Sequence, residues 1–184
     1  MIDVPFITNE KVFLRPAELQ DVPMFQRCSN LPEVRYALFT AFPENRVRLN
    51  EWVEGLYKNH DSIVLVMVDN DTKRAVGYTA YYRIDWVSRA AVFFIAIADP
   101  DDWSHGYGGK TVQMMMDYAF YTLNLQRIQL HVWVDNEKAV KAYEKVGFKI
   151  EGTLRRAMYH KGKYADFHVM GLLKDEYAPN ADKV

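Results

Sequence analysis

Cysteine, net charge and long apolar runs are all scarce in this chain, and each scarcity removes a class of protein. The single cysteine, Cys28, cannot close an internal disulfide. A formal net charge of −1 and a pI near 6.5 supply no positive field to hold a nucleic acid or an anionic membrane, so neither is expected as a partner. The longest strictly apolar run, Ala90 to Ala98, has nine residues, against the ~20 that a membrane-spanning helix needs. It reads as a buried strand. The opening residues MIDVPFITNE carry neither a basic stretch nor an apolar core of signal-peptide length. Together with the lone cysteine this points to the cytoplasm. Five scattered histidines and one cysteine offer no ligand pair at metal spacing, and no metal is expected.

What is present is ample material for a core: 49% hydrophobic residues and 26% charged residues in 184, which fits one domain spanning residues 1–184. Lys11 to Arg15 alternates as a strand, and Pro16 with Glu18 and Asp21 opens a helix running to about Ser29. Between Pro43 and His60, Val47, Leu49, Trp52, Val53 and Leu56 recur at helical spacing. Then the period changes. Ser62 to Val68 and Ala75 to Ile84 read as strands joined by a turn at Asp69-Asn70-Asp71. The strand Ala90 to Ala98 follows, then a polar loop from Asp99 to His105 and helical spacing from Gly106 to Leu123. The last third reads as strand Arg127 to Val134, helix Glu137 to Val146, strand Phe148 to Leu154 and a hairpin turning at His160 to Lys163. Hairpins followed by strand–helix–strand units predict an α/β domain with a mixed sheet.

The loop Trp103-Ser104-His105-Gly106-Tyr107-Gly108-Gly109-Lys110-Thr111 stands between a strand and a helix. There, unpaired first-turn amides and the helix dipole suit a phosphate. The dinucleotide pattern G-x-G-x-x-G fails at Thr111, and the P-loop pattern fails at Ser104, where it needs its first glycine. The acetyl-CoA loop pattern Q/R-x-x-G-x-G/A fits Gly106 and Gly108 and departs at Trp103. Alone, this loop is equally a glycine-rich helix start without a ligand.

A second motif lies about thirty residues on. The stretch from Asn136 through Ala139 and Tyr143 to Gly147-Phe148 resembles the N-x-x-A-x-x-x-Y-x-x-x-G-F signature of the GNAT family of N-acetyltransferases. The likeness is to the branch containing ribosomal-protein N-terminal and spermidine acetyltransferases. It extends through Asp117-Tyr118-Ala119-Phe120, Leu123-Asn124-Leu125 and Glu151-Gly152, and covers most of residues 10 to 175.

The resemblance implies a GNAT fold: a mixed, mostly antiparallel sheet with two splayed central parallel strands, flanked by helices. It implies acetyl-CoA as cosubstrate, with direct transfer in a ternary complex to a primary amine. The pantetheine arm would lie on the backbone of Ile95, Ala96 and Ile97, and the pyrophosphate on amides of Ser104, His105, Gly106, Tyr107, Gly108 and Gly109. Asn136 would touch the coenzyme, and the Tyr143 hydroxyl would protonate the departing thiolate. Read from the residues alone, Asn136 is equally a helix N-cap. Without the motif, Tyr143 reads as a core aromatic sharing a helix face with Ala139, Val140 and Val146.

The family's usual carboxylate near the start of the coenzyme strand is replaced by Val92 and Phe93. The nearest acids, Asp85, Asp99 and Asp101, are equally turn residues, so no base is assigned. His131 alternates with Gln129 and Trp133 and is a cleft-facing candidate or a structural histidine. Cys28 has no nearby histidine, which argues against an acyl-enzyme. A polycation needs carboxylates, yet Leu31 to Pro43, which would line the acceptor pocket, holds only Glu33. Tyr36, Leu38, Phe39 and Phe42, with Tyr78, Tyr81, Tyr82 and Trp86, suggest an aromatic acceptor side. A peptide N-terminus, a small aromatic or apolar amine, or an amino sugar fits it. A non-catalytic acyl-CoA-binding module is the alternative, and self-association is a further expectation.

Overall fold

In the computed structural model, residues 4–58 and 60–178 are described. Eight strands form one sheet in the order β1-β2-β3-β4-β5-β6-β8-β7. They are β1 (Ile7–Thr8), β2 (Val12–Pro16), β3 (Ile63–Asp69), β4 (Ala75–Asp85), β5 (Ala90–Ile97), β6 (Arg127–Trp133), β7 (Lys149–His160) and β8 (Lys163–Leu173). The β5–β6 pair is parallel; the other neighbours are antiparallel. The helices are α1 (Val22–Asn30), α2 (Pro32–Ala37), α3 (Arg46–Gly55), α4 (Tyr107–Asp117) and α5 (Glu137–Val146).

Alternation along the strands sends apolar side chains to both faces, so two cores form. On one, Met115, Met116 and Val112 of α4 meet Phe93, Ile128 and Leu130, with Ala139, Val140, Tyr143 and Val146 of α5 packed alongside. On the other, Phe25 and Cys28 of α1, Val34 of α2 and Leu49 and Val53 of α3 cover Val64, Val66, Ala80 and Ala96. The GNAT-type sheet expected from the sequence is the one observed.

Three elements differ from expectation in extent. The first helix does not start at Pro16. Arg15 forks onto Asp21 through bonds of 2.7 and 2.8 Å, and Asp21 also accepts from Glu18 N–H at 2.9 Å. This pair fixes a 3₁₀ turn, Leu19–Asp21, ahead of α1. The helix after Gly106 changes to a π turn over Tyr118–Thr122, where Leu123 N–H reaches back to Tyr118 at 3.0 Å. Strand β7 runs on to His160 because β8 pairs with it along its length, through bulges at Ile150/Gly152 and Leu154/Met158.

Gly77 fixes how close β4 and β5 come. A Cβ there would lie 2.1 Å from the Ala96 carbonyl oxygen and 2.9 Å from Ile97 Cα. Only glycine permits that approach.

Candidate active site

Strands β5 and β6 pair at Ala90↔Arg127, Ala91↔Ile128 and Val92↔Gln129, and no further. Beyond Val92 they separate. Ala98 N–H donates to Val76 O at 2.9 Å, so by alternation Ala96 also turns its peptide groups toward β4. The peptide groups of Ile95 and Ile97 therefore face the opening, where no strand pairs with them. Of the three residues expected to carry a pantetheine arm, two present backbone to the gap and Ala96 spends its own on the sheet.

The glycine loop is clamped before it reaches the gap. Arg74 holds Asp102 through two bonds of 2.8 and 2.6 Å, while Asp99 accepts Asp101 N–H at 3.1 Å and pairs with Arg27. Ser104 and Gly106 both adopt left-handed backbone, φ 73 and 85, which turns the chain into α4. Tyr107 is buried, and its hydroxyl donates to Asp69 at 2.7 Å. Burial works against the Asp69 charge, but hydrogen bonds from Thr72, Tyr107 and Asp71 outweigh it and bring the carboxyl down to about 2. Tyr107 thus anchors the start of α4 from beneath. His105 N–H reaches Asp102 O at 3.5 Å, and neither His105 nor Tyr107 lines the cleft.

Gly108 and Gly109 need no left-handed backbone. A Cβ on Gly108 would meet only Ile97 Cδ1, at 3.9 Å, and one on Gly109 would meet nothing within 4 Å. Glycine inside a helix costs about 0.5–1 kcal/mol relative to alanine, so the protein's own packing does not explain two in a row. Space held open above free first-turn amides is what an anion needs. The residues present fit the coenzyme's pyrophosphate.

Opposite this loop, Asn136 Oδ1 accepts Ala139 N–H at 3.2 Å and caps α5. Gly147, at φ 112, ends it. Both Asn136 and Tyr143 line the same cleft of about 530 Å³ as Ile95, Ile97, Ser104, Gly106, Gly108 and Gly109, a volume in the range of substrate pockets. Lys138 also lines it and donates to Ser104 Oγ. Nothing in the sequence separates Lys138 from other helix-surface lysines. Trp103, Val34 and Ala37 of α2, and Leu38 just after it complete the far end.

Tyr143 packs edge-on against Phe93 and Phe148, centroids 6.5 and 5.8 Å away. Burial pushes its phenol up to about 12. The buried tyrosines have placed their hydroxyls: Tyr81 on Met115 O, Tyr107 on Asp69 and Tyr177 on Asp117 at 2.8 Å. Tyr143 is half-buried, and its hydroxyl has no such partner among the described residues. It is a spare donor lining the cleft.

The other candidates separate by burial. Tyr81 is core, and Tyr78 packs against Phe25 and Trp52. Trp86 donates to His60 O at 2.8 Å, and Phe42 is exposed. Tyr36 and Phe39 instead gather with His160, which Phe39 also joins to Trp133 and Phe167. Asp85 caps its own turn at Val87 and Ser88, 2.9 Å each. His131 is exposed, on the β6 face shared with Gln129 and Trp133. Burial pushes the Cys28 thiol up to about 12, which keeps it from acting as a thiolate. Among the described residues no group of three or more His, Cys, Asp or Glu is placed to hold a metal, and no helix is long and apolar enough to cross a membrane.

Comparison with known proteins gives a family and relatives. The acetyltransferase (GNAT) domain model matches residues 11–149. The chain is 32% identical over 172 residues to the spermidine N(1)-acetyltransferase of Vibrio cholerae serotype O1, covering 92% of this chain and 96% of that one. The crystal structure of the Vibrio cholerae spermidine N-acetyltransferase in complex with CoA and spermine superposes with a TM-score of 0.85 at 30% identity, covering 92% and 99% of the two chains. A dodecameric structure of the Vibrio cholerae enzyme matches with a TM-score of 0.82 at 29% identity, covering 95% and 100%.

Proposed function

The chain belongs to the acetyltransferase (GNAT) family and is an acetyl-CoA-dependent N-acetyltransferase, and from that premise we propose that it transfers the acetyl group directly to a primary amine, with Tyr143 as the acid. The observation that carries this reading is the Tyr143 hydroxyl, unpartnered among the described residues, on a half-buried side chain that lines the cleft between the β5 gap and the glycine loop.

The coenzyme enters with its pantetheine amides against the peptide groups of Ile95 and Ile97, and its pyrophosphate over the first-turn amides of α4 at Gly108 and Gly109. Lys138, beside Ser104, adds a cation at the same end. The neutral amine attacks the thioester carbonyl, and a tetrahedral intermediate forms. Its collapse sends the electron pair to sulfur, the Tyr143 proton follows, and the proton shed by the attacking nitrogen passes through water to restore the phenol. A phenol raised to about 12 stays protonated throughout the neutral range, so the donor is always loaded. A positioned acid contributes roughly 10²–10⁴ in rate. The Cys28 thiol, buried in the opposite core, takes no part.

The Vibrio cholerae relatives act on spermidine by name, while Val92 and Phe93 stand near the start of the coenzyme strand here without a carboxylate. The acceptor is therefore read from this chain's own surface. We also propose a homo-oligomer, supported by the dodecameric relative, with light scattering as the check. The test of the transfer itself is thiol release from acetyl-CoA across a panel of amines, with mass spectrometry of the acetylated product. Tight coenzyme binding with no product from any amine would restore the reading as a non-catalytic module.

A further inference from the structure

We propose that the acceptor is a primary amine carried on an uncharged apolar or aromatic body, and that the site discriminates against polycations. This deepens the transfer reading above and rests on it. With the coenzyme along the glycine loop and α5, direct transfer requires the amine to reach the β5–β6 split from the opposite face, on the α2 side. There the register defines what it meets. Tyr82, Val92, Gln129 and Gly171 form one row across β4, β5, β6 and β8. Ala80 and Phe94 lead toward His131 and Val169 in the next, where the split has opened. None of these positions carries a carboxylate.

The acid that reaches this row is already engaged, and Glu33 of α2 is exposed. Glu151 lies directly over Gly171, where a Cβ would come within 2.3 Å of its Oε1, and both its oxygens are taken by Arg127, one at 2.7 Å. The rim at Tyr36 is cationic. Tyr36, at the end of α2, has the Lys161 ammonium 4.1 Å from its ring centre and the Arg35 guanidinium at 4.4 Å.

The wall beside it is aromatic and stiff. Phe39 holds a left-handed backbone at φ 56, which a bulky side chain rarely adopts. It is kept there by Trp133, His160 and Phe167 at centroid distances of 5.5, 4.5 and 4.9 Å. Strain of this kind persists where the surroundings over-determine it. A second or third ammonium on the acceptor would lose hydration and find no counter-charge here, whereas an apolar or planar body would find matching surface.

The test uses the full chain, saturating acetyl-CoA and four amines: hexylamine, phenethylamine, cadaverine and spermidine. Hexylamine and cadaverine have the same number of heavy atoms and differ in the second charge. We expect kcat/KM for hexylamine and phenethylamine to exceed that for cadaverine and spermidine by about tenfold or more. Val92→Glu, which puts a carboxylate beside the split, should narrow or reverse that order. Gln129→Glu, one strand away in the same row, serves if the first variant fails to fold. Equal or faster turnover of cadaverine or spermidine by the unaltered chain would overturn the acceptor assignment and leave acetyl transfer standing. So would an unchanged amine order in both folded variants. Thiol release with none of the amines, from a chain that acetyl-CoA still stabilises, would instead overturn the transfer reading and the acceptor assignment with it.

Discussion

The ring of Tyr143 meets the ring of Phe93 edge-on, centroids 6.5 Å apart and planes at 84°. This contact ties α5 to the strand whose separation from β6 opens the cleft. The packing uses the ring, and the hydroxyl remains for chemistry.

Replacing Tyr143 with phenylalanine therefore keeps the packing and removes the donor. We expect Tyr143→Phe to bind acetyl-CoA nearly as well as the unaltered chain and to melt within about 1 kcal/mol of it. Its single-turnover rate should fall by roughly 10²–10⁴. An unchanged chemical step, measured with the best acceptor, would show that another group protonates the thiolate.

The same residue sets an alkaline signature. Its phenol titrates near 12 in the folded chain and about 10 when unfolded. Between those values the unfolded state has lost a proton that the native state keeps, so stability falls as pH rises through that window. Tyr143→Phe should lose less stability than the unaltered chain between about pH 10 and pH 12. Paired denaturant titrations at the two ends measure the difference, and equal losses would contradict the raised phenol.

At Gly108 the protein itself tolerates a side chain, since a Cβ meets only Ile97 Cδ1 at 3.9 Å. Gly108→Ala should fold as well as the unaltered chain. Gly108→Glu should fold but lose the rise in Tm that acetyl-CoA gives, because its carboxylate enters the space meant for the pyrophosphate. Retained stabilisation in a folded Gly108→Glu would move the phosphate site elsewhere.

Gly77 is the opposite case. A Cβ at 2.1 Å from Ala96 O and 2.6 Å from Met67 Cε forces β5 away from β4. Gly77→Ala should destabilise by about 1–3 kcal/mol or more and weaken coenzyme binding through the displaced Ile97. Thermal melts with and without acetyl-CoA read both effects. A neutral substitution would mean that the strands have more room than the Gly77–Ala96 approach allows.

Asn136 separates capping from ligand contact. Asn136→Asp retains an oxygen for Ala139 N–H and should keep the melting temperature, yet its charge opposes a phosphate-bearing ligand. A loss of coenzyme affinity at unchanged stability marks contact with the coenzyme. Asn136→Ala should cost about 0.5–2 kcal/mol from the lost cap in either case. Unchanged affinity in Asn136→Asp would leave the residue as a cap alone.

The periodicity of the chain determined nearly all its elements. Helix α5 has the expected bounds, because Asn136 caps it and Gly147 ends it within the local sequence. The glycine loop and the Asn136–Phe148 motif were equally legible, since a phosphate nest and a helix cap are made from consecutive residues. Only the tertiary structure decided what each residue does with the atoms it has. It turned Ala96 into the sheet and Ile95 and Ile97 into the gap, because their sides depend on the β4 register. It took Tyr81 into the core and left the Tyr143 hydroxyl spare, because a hydroxyl's partner comes from another part of the chain. It also set Glu151 on Gly171 and Phe39 against His160, contacts between residues 20 and 121 positions apart. Local signals travel a few residues along a chain, and these pairings are fixed only when the sheet closes.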